Sequence, residues 1–350
     1  MILSPASPPG GLPGYTEAPL RGPSVPALRW AVVGTGPIAA SWIQAVRAAT
    51  DQRVVAIGSR DRERAITFAR KHAPEAAGGL VHEALAFEEV DAVYVAVPHT
   101  AHAAVAVAAA EAGRHVLVEK PIADSVAGAE RIAAAAAEAG VFAMEAMWTC
   151  FHPWTAVAVA AIDDGLIGRV RAVAADVGRR FDFAPESRLF DPALGGGALL
   201  DLGVYAVWFA LRFGGRPQKL RALGTVGPTG VEEQASLVMV GPDDVLMTVT
   251  TTMSAFTPSR GIIAGEGGSL IVDGRFASPS PLLLLDRDNR IVERFDDPTG
   301  LVGHSALARE AVRVAECVAS GLTEAPEHPL STSIAQLQVI DEARHLILWR

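Results

Sequence analysis

A doubly wound, parallel α/β Rossmann unit followed by an α+β unit with an open, mostly antiparallel sheet is the architecture this sequence predicts, on three observations. From Leu28 onward, short apolar runs without polar alternation take turns with Ala-rich helical stretches, as in parallel strands covered on both faces. Beyond Cys150, extended segments succeed one another at short intervals with turn signals between them, as in antiparallel neighbours. The length of 350 residues suits two domains, and 50% apolar against 20% charged residues excludes a mainly disordered chain.

Residues 1–27 carry seven Pro and four Gly without apolar periodicity, which predicts a flexible arm; the alternative is that part of it packs on a partner subunit. The dinucleotide-type domain is expected over 28–148. Its strands are Leu28 to Val33, Val54 to Ile57, Ala92 to Val97, His115 to Val118 and Val141 to Met144. Helices at Ile38 to Ala49, Asp61 to His72, Ala101 to Ala112 and Ser125 to Ala139 alternate with them. The second domain, 149–350, starts with a helix at Thr155 to Asp163, a strand at Val170 to Val177 and a helix at Asp201 to Phe213. Strands come next at Lys219 to Val226, Ala235 to Val240, Val245 to Thr252, Gly268 to Val272, Leu282 to Leu285 and Ile291 to Phe295, then helices at Ala306 to Ser320 and Ser333 to Ile347. Such a sheet needs a cover on its free face, which another subunit can supply.

The formal net charge of −9, without any Lys/Arg run, argues against nucleic-acid or anionic-membrane partners and for a small molecule. No uncharged apolar run reaches the ~18 residues of a membrane span. Cys150 and Cys317 lie far apart, outside any metal-type spacing, and the first residues lack a secretory pattern. A cytoplasmic protein without a metal site is expected. Of 30 basic residues only Lys71, Lys120 and Lys219 are lysines, and the tyrosines are Tyr15, Tyr94 and Tyr205. A lysine in so Arg-rich a chain invites the question of what arginine could not do there.

Gly34-Thr35-Gly36-Pro37-Ile38-Ala39 reads GxGxxA between a strand and a helix. Gly34 suits the tight turn, Gly36 lets backbone approach a pyrophosphate, and the helix N-terminus offers N–H donors and positive dipole. The second strand ends Ser59-Arg60 instead of in an acid, which suits the 2′-phosphate of NADP, with NAD as the alternative cofactor. The competing reading makes Arg60 a solvated residue beside an Asp61 cap. Pro98, His99 and His102 come after the next strand, at the carboxyl edge where ligands bind, although such histidines also merely cap helices. Glu119-Lys120-Pro121 ends the strand that starts at His115; an amine there holds a substrate oxygen and can give up a proton, which a guanidinium cannot. In the second domain GGGALLDLGVY spaces Asp201 and Tyr205 i, i+4 on one helix face. A phenol ionises near ~10, and a neighbouring ammonium favours its anion. Tyr205 is then a proton acceptor, or a tyrosine that satisfies a core acceptor.

GTGPIA, EKP and GGGALLDLGVY, in this order, resemble the Gfo/Idh/MocA oxidoreductase family over Leu28 to the C-terminus. MEAMWTCFHP at Met144 to Pro153 and DLGVY are most similar to the branch of dimeric dihydrodiol dehydrogenases, also known as NADP-linked D-xylose dehydrogenases. The resemblance implies a substrate hydroxyl or carbonyl acted on by Lys120 and Tyr205 with Asp201 nearby, and a cofactor contact for His102. It also implies a homodimer or homotetramer formed through the C-terminal sheet. Trp148 is placed to wall the substrate site, or is a core tryptophan; Arg188 binds substrate oxygens, or is a solvated loop arginine. The expected activity is hydride transfer between NADP and a secondary alcohol or ketone of a sugar, polyol or cyclic trans-diol. Many relatives have His at the Tyr205 position; Tyr is also used by sugar-nucleotide 3-ketoreductases, which keeps that activity open. An NAD-dependent glycoside hydrolase with transient oxidation and a non-catalytic NADP sensor are the alternatives from other classes.

Overall fold

The structure, a computed structural model, describes residues 2–3, 11–16 and 18–348. It divides into two compact units: Pro19–Trp148 with Gly303–Ile334, and Thr149–Val302 with the segments up to Ala18 and from Ala335. Near the N-terminus β1 (Ile2–Leu3) pairs antiparallel with β2 (Tyr15–Thr16). The predicted arm falls partly outside the described residues. Within those described, Leu12 is buried and the Tyr15 ring stands edge-on to Phe295 at 6.0 Å. Further on, the Gly22 N–H donates to Asp51 Oδ2 (2.7 Å) and Arg21 to the Ala48 carbonyl (2.6 Å).

The first unit alternates β3 (Arg29–Val33), α1 (Pro37–Ala49), β4 (Arg53–Ser59), α2 (Arg62–His72), β5 (Ala77–Leu80) and α3 (Val81–Ala86). It continues with β6 (Ala92–Val95), α4 (His99–Glu111), β7 (His115–Glu119), α5 (Val126–Ala139) and β8 (Ala143–Ala146). All strand pairs are parallel, in the order β5-β4-β3-β6-β7-β8. This is the Rossmann order, whose direction reverses beside β3 and opens a crevice at the carboxyl edge. Trp42 fastens α1 to the sheet: fully buried, it meets Trp30 edge-on at 5.1 Å and stacks on Tyr94 at 4.4 Å. Such burial stabilises by about 1.5–3 kcal/mol, so the helix that begins at the glycine turn is held firmly. Elements β5 and α3 have no counterpart among the predicted ones. AGGL has no β-branched residue, and it is a strand because Gly78 admits α2: a Cβ there would meet the Ile66 backbone at 2.6 Å.

The second unit opens with α6 (Pro153–Asp163), β9 (Val170–Gly178) and α7 (Val204–Gly214). Strands β10 (Lys219–Val226), β11 (Glu232–Val240), β12 (Leu246–Thr252), β13 (Gly261–Gly265), β14 (Ser269–Val272), β15 (Leu282–Leu285) and β16 (Ile291–Phe295) come after them. The sheet order is β10-β11-β12-β9-β13-β14-β15-β16, antiparallel throughout except for β12 beside β9. The predicted fold class is the observed one. Strand β13 was not among the predicted strands; its Gly261 lies against Phe209, whose ring a Cβ would meet at 2.4 Å. The long apolar stretch Pro192–Gly214 is long and apolar enough for a membrane span, yet it is 83% buried as the core helix of this sheet. On the opposite face, β10, β11 and β12 leave Leu223, Val238 and Leu246 exposed.

Two helices close the chain, α8 (Ala308–Ala319) and α9 (Leu330–Leu348). Residues 303–334, assigned to the second domain by linear reading, cluster instead with the first unit. The reason is packing: α8 lies against α1, and the Thr323 carbonyl accepts from the Ala143 N–H at 3.0 Å.

Candidate active site

Gly34 follows β3 with φ +127°, and a Cβ on it would stand 2.2 Å from the Ala96 carbonyl oxygen, so the turn excludes every other residue. Gly36 is the opposite case, with none of the described residues within 4 Å of where its Cβ would point. It caps α1 without a side-chain partner, and Pro37 takes the first helical position. Thr35 and Ile38 are half-buried beside it. An open approach to uncapped helix N–H groups fits a dinucleotide pyrophosphate. Arg60 is exposed at the end of β4; Ser59 Oγ accepts from the Asp61 N–H (3.2 Å), and Asp61 caps α2 through the Arg64 N–H (3.1 Å). The capping role is thus real, and it leaves the guanidinium of Arg60 facing solvent.

Helix α4 begins at His99, two residues before the predicted start, with Pro98 as its cap, so His99 joins His102 in its first turn. Their rings meet edge-on at 5.6 Å. His102 is fully buried, with Nδ1 2.8 Å from the Pro121 carbonyl and Nε2 2.8 Å from the Val97 carbonyl. Burial pushes its pKa down. It bridges the segments that leave β6 and β7.

Lys120, half-buried directly after β7, is joined to Pro121 by a cis peptide bond. Its N–H donates to Glu119 Oε2 (3.1 Å), and the Tyr94 hydroxyl donates to Glu119 Oε1. Two residues on, the Ile122 N–H donates to Glu145 Oε1 (2.9 Å). Glu145 Oε2 meets His328 Nε2 at 2.8 Å, with Ser333 Oγ 3.0 Å from the same nitrogen. Burial raises the Glu145 pKa, but His328, Ser333 and the Ile122 N–H together outweigh it and hold the carboxyl below its usual range. Glu310, on α8, is fully buried, and neither carboxyl oxygen has a hydrogen-bond partner among the described residues. Burial, reinforced by the charges of Glu119 and Glu145, pushes its pKa well up. Glu145, Glu310 and His328 were not among the predicted site residues; a charge inside an apolar period, as in Ala143 to Met147, was the available signal. Trp148, 7% exposed after β8, stands edge-on to His304 at 5.8 Å.

In the second unit Gly197 takes φ +125°, and its Cβ would fall 2.3 Å from the Glu232 carboxylate. That buried carboxylate accepts the Leu199 N–H (3.2 Å) and faces Arg344 at 3.5 Å. Burial pushes Glu232 up, with Arg344 opposing. The triple glycine therefore lets backbone cross a buried acid. A π-helical turn, Leu199–Gly203, then leads into α7, where a regular helix from Asp201 was expected. Asp201, 6% exposed in that turn, pairs with Arg188 (2.9 Å), itself about half exposed. Single-turn π segments are frequent at functional sites. Tyr205 is half-buried in the first turn of α7, and Gln336 donates to the neighbouring Val204 carbonyl (2.9 Å). The structure thus joins two predicted residues, Arg188 and Asp201, in one ion pair. Lys120 lies in the first unit, and Asp201, Tyr205 and Arg188 lie in the second.

Residues 28–147 match the Gfo/Idh/MocA oxidoreductase family with NAD-binding Rossmann fold, and residues 155–271 match the Gfo/Idh/MocA C-terminal domain. Trans-1,2-dihydrobenzene-1,2-diol dehydrogenase from Danio rerio is 31% identical over 330 residues, covering 92% of this chain and 97% of its own. The Mus musculus enzyme of that name is 32% identical with the same coverage. Among solved structures, a 3-ketoreductase from Actinomadura kijaniata with NADP and TDP-benzene is 29% identical, with a TM-score of 0.78 over 92% of this chain and 98% of its own. An aldose-aldose oxidoreductase from Caulobacter crescentus, 22% identical with a TM-score of 0.80 over 91% of this chain and 97% of its own, shares the fold. The fold and these likenesses define an NAD(P)-dependent oxidoreductase. The chain belongs to the Gfo/Idh/MocA family.

Proposed function

We propose that this protein is an NADP-dependent oxidoreductase that moves a hydride between the nicotinamide and a secondary alcohol or ketone of a sugar, polyol or cyclic trans-diol. The observation that carries the reading is a shared sheet edge. The open turn at Gly36 follows β3 and Lys120 follows β7, with β6 between them: two strand spacings, roughly 10 Å. An amine at that separation from a pyrophosphate cradle suits the reacting end of a bound dinucleotide.

A bound nicotinamide nucleotide would supply or take up the hydride. Lys120 hydrogen-bonds the substrate oxygen, and Tyr205 exchanges the hydroxyl proton with it. Asp201, held by Arg188, orients the substrate. Trp148 walls the substrate site. Pro98 and His99 border the cofactor, Glu119 and His102 brace the backbone around it, and Thr35, Pro37 and Ile38 line the turn. Arg60 with Ser59 selects the 2′-phosphate of NADP. The likeness to dihydrodiol dehydrogenases over 92% of the chain supports a cyclic trans-diol or aldose. The likeness to the NADP-bound 3-ketoreductase, also crystallised as a lysine-to-alanine and a tyrosine-to-phenylalanine variant, supports a second reading with a nucleotide-linked ketosugar. The exposed face carrying Leu223, Val238 and Leu246 is the proposed surface for a homo-oligomer.

The test is a panel of trans-dihydrodiols, aldoses, inositols and nucleotide-linked ketosugars, followed by nicotinamide absorbance with both NADP and NAD. With the best substrate, Lys120→Met and Tyr205→Phe are each expected to lower kcat/KM by about 10²–10⁴. Wild-type turnover in both variants would sink the assignment. Arg60→Ala is expected to raise the KM for NADP by about 10- to 100-fold and leave that for NAD unchanged.

A further inference from the structure

Each residue of the segment 120–122 is fastened by a buried side chain from a different element. The Lys120 N–H is held by Glu119, from the end of β7. The Pro121 carbonyl faces His102 Nδ1, from α4, and the Ile122 N–H is held by Glu145, from β8. Behind these stands a further layer: Tyr94 of β6 on Glu119, and His328 with Ser333 on Glu145. His328 and Ser333 come from residues 303–334, some 180 positions away in sequence from Glu145 (separation 183 for His328), and all three side chains are almost wholly buried. Placing charged or polar groups in a core costs free energy unless each is hydrogen-bonded. An apolar packing of the same volume would stabilise the unit at least as well, so stability alone does not account for the set.

We propose that Glu145, with His328 and Ser333 behind it, positions Lys120. The Glu145–Ile122 bond fixes the backbone just beyond Pro121, and the His328 ring, with Ser333 beside it, fixes which way the Glu145 carboxylate faces. The ammonium of Lys120 is thereby delivered from a backbone secured on both sides. Neither Glu145 nor His328 touches substrate in this scheme. Both act through the lysine, and the proposal rests on the oxidoreductase reading of that residue.

The lysine count makes the test clean. Lys71 and Lys219 are exposed and serve as internal references in competitive acylation of the amines, read by mass spectrometry. Glu145→Ala is expected to raise the acylation rate of Lys120 relative to both by about fivefold, the equilibrium weight of one hydrogen bond. It is expected to lower kcat by about 10- to 100-fold through misplacement of the amine. Binding of NADPH, followed by its fluorescence, stays at the wild-type level, as does KM for the alcohol. Glu145→Gln, which keeps an oxygen for the Ile122 N–H, recovers most of the loss; a general weakening of the core would not be repaired this way. If Glu145→Ala fails to fold, Ser333→Ala gives the smaller version of the same pair of effects. Unchanged Lys120 acylation and unchanged kcat in folded variants overturn the proposal. Altered acylation in a protein that turns over no member of the substrate panel sustains the positioning role and overturns the oxidoreductase reading.

Discussion

The two glycine-rich turns of this molecule lack side chains for opposite reasons. In the first unit Gly36 leaves space that nothing among the described residues enters. In the second, Gly197 gives up its side-chain volume to the protein's own Glu232 carboxylate. One motif leaves its side-chain space open, the other gives it to a buried acid that accepts the Leu199 N–H. Similar composition therefore does not imply similar duty; the environment of the missing Cβ separates them.

Two substitutions probe that contrast. Gly197→Ala is expected to have the largest effect on stability. It combines a backbone conformation that costs an L-residue about 1–2 kcal/mol with displacement of a buried, paired carboxylate, for a loss of about 3–5 kcal/mol. Chemical denaturation checks it, and a loss below about 1 kcal/mol, on the order of a surface change, would break the comparison. Gly36→Ala has ordinary backbone angles and an open surround. It should leave the unfolding midpoint unchanged while weakening NADPH binding by about tenfold or more, since one methyl then keeps phosphate from the helix N–H groups. Equal loss of stability in both variants would show that the two turns serve the same end.

The smallest effect is a pH dependence that sets the acids of the first unit apart. Glu310 has a raised folded pKa, so its stabilising contribution is complete below the unfolded value of about 4.3 and declines as pH rises through the folded value. The slope approaches about 1.4 kcal/mol per pH unit for one proton. Glu145, whose folded pKa is depressed, acts in the other direction: its contribution is present above about 4.3 and is lost as pH falls through the folded value. Glu310→Gln should flatten the decline above about pH 5 in urea denaturation and leave the acid limb as it is. An unaltered slope would show that Glu310 ionises freely in the folded chain.

Much of the first unit was readable because buried parallel strands are continuously apolar; Ala92 to Val95 and His115 to Val118 declare themselves by that alone. The residues of the glycine turn and Lys120 were equally legible, since they come directly after strands and their chemistry is carried by residue type. Strands β5 and β13 were not, because their glycines are there to admit Ile66 and the Phe209 ring, partners far away in the chain or on another element. The pairing of Arg188 with Asp201 needed the loop before the triple glycine to fold back, which no periodicity encodes.

Strand periodicity, turn chemistry and the positions of a few chemically distinctive residues are local properties, and so the order of residues alone determined the two-unit architecture and the candidate Lys120, Asp201 and Tyr205. Burial and charge pairing are collective properties. Only the tertiary structure brought residues 303–334 to the first unit and set Glu232 under Gly197. It also left the Glu310 carboxyl without a hydrogen-bond partner among the described residues and aligned Glu145 with His328 behind the lysine. A carboxylate's environment is decided by whatever packs around it, and those neighbours come from distant parts of the chain.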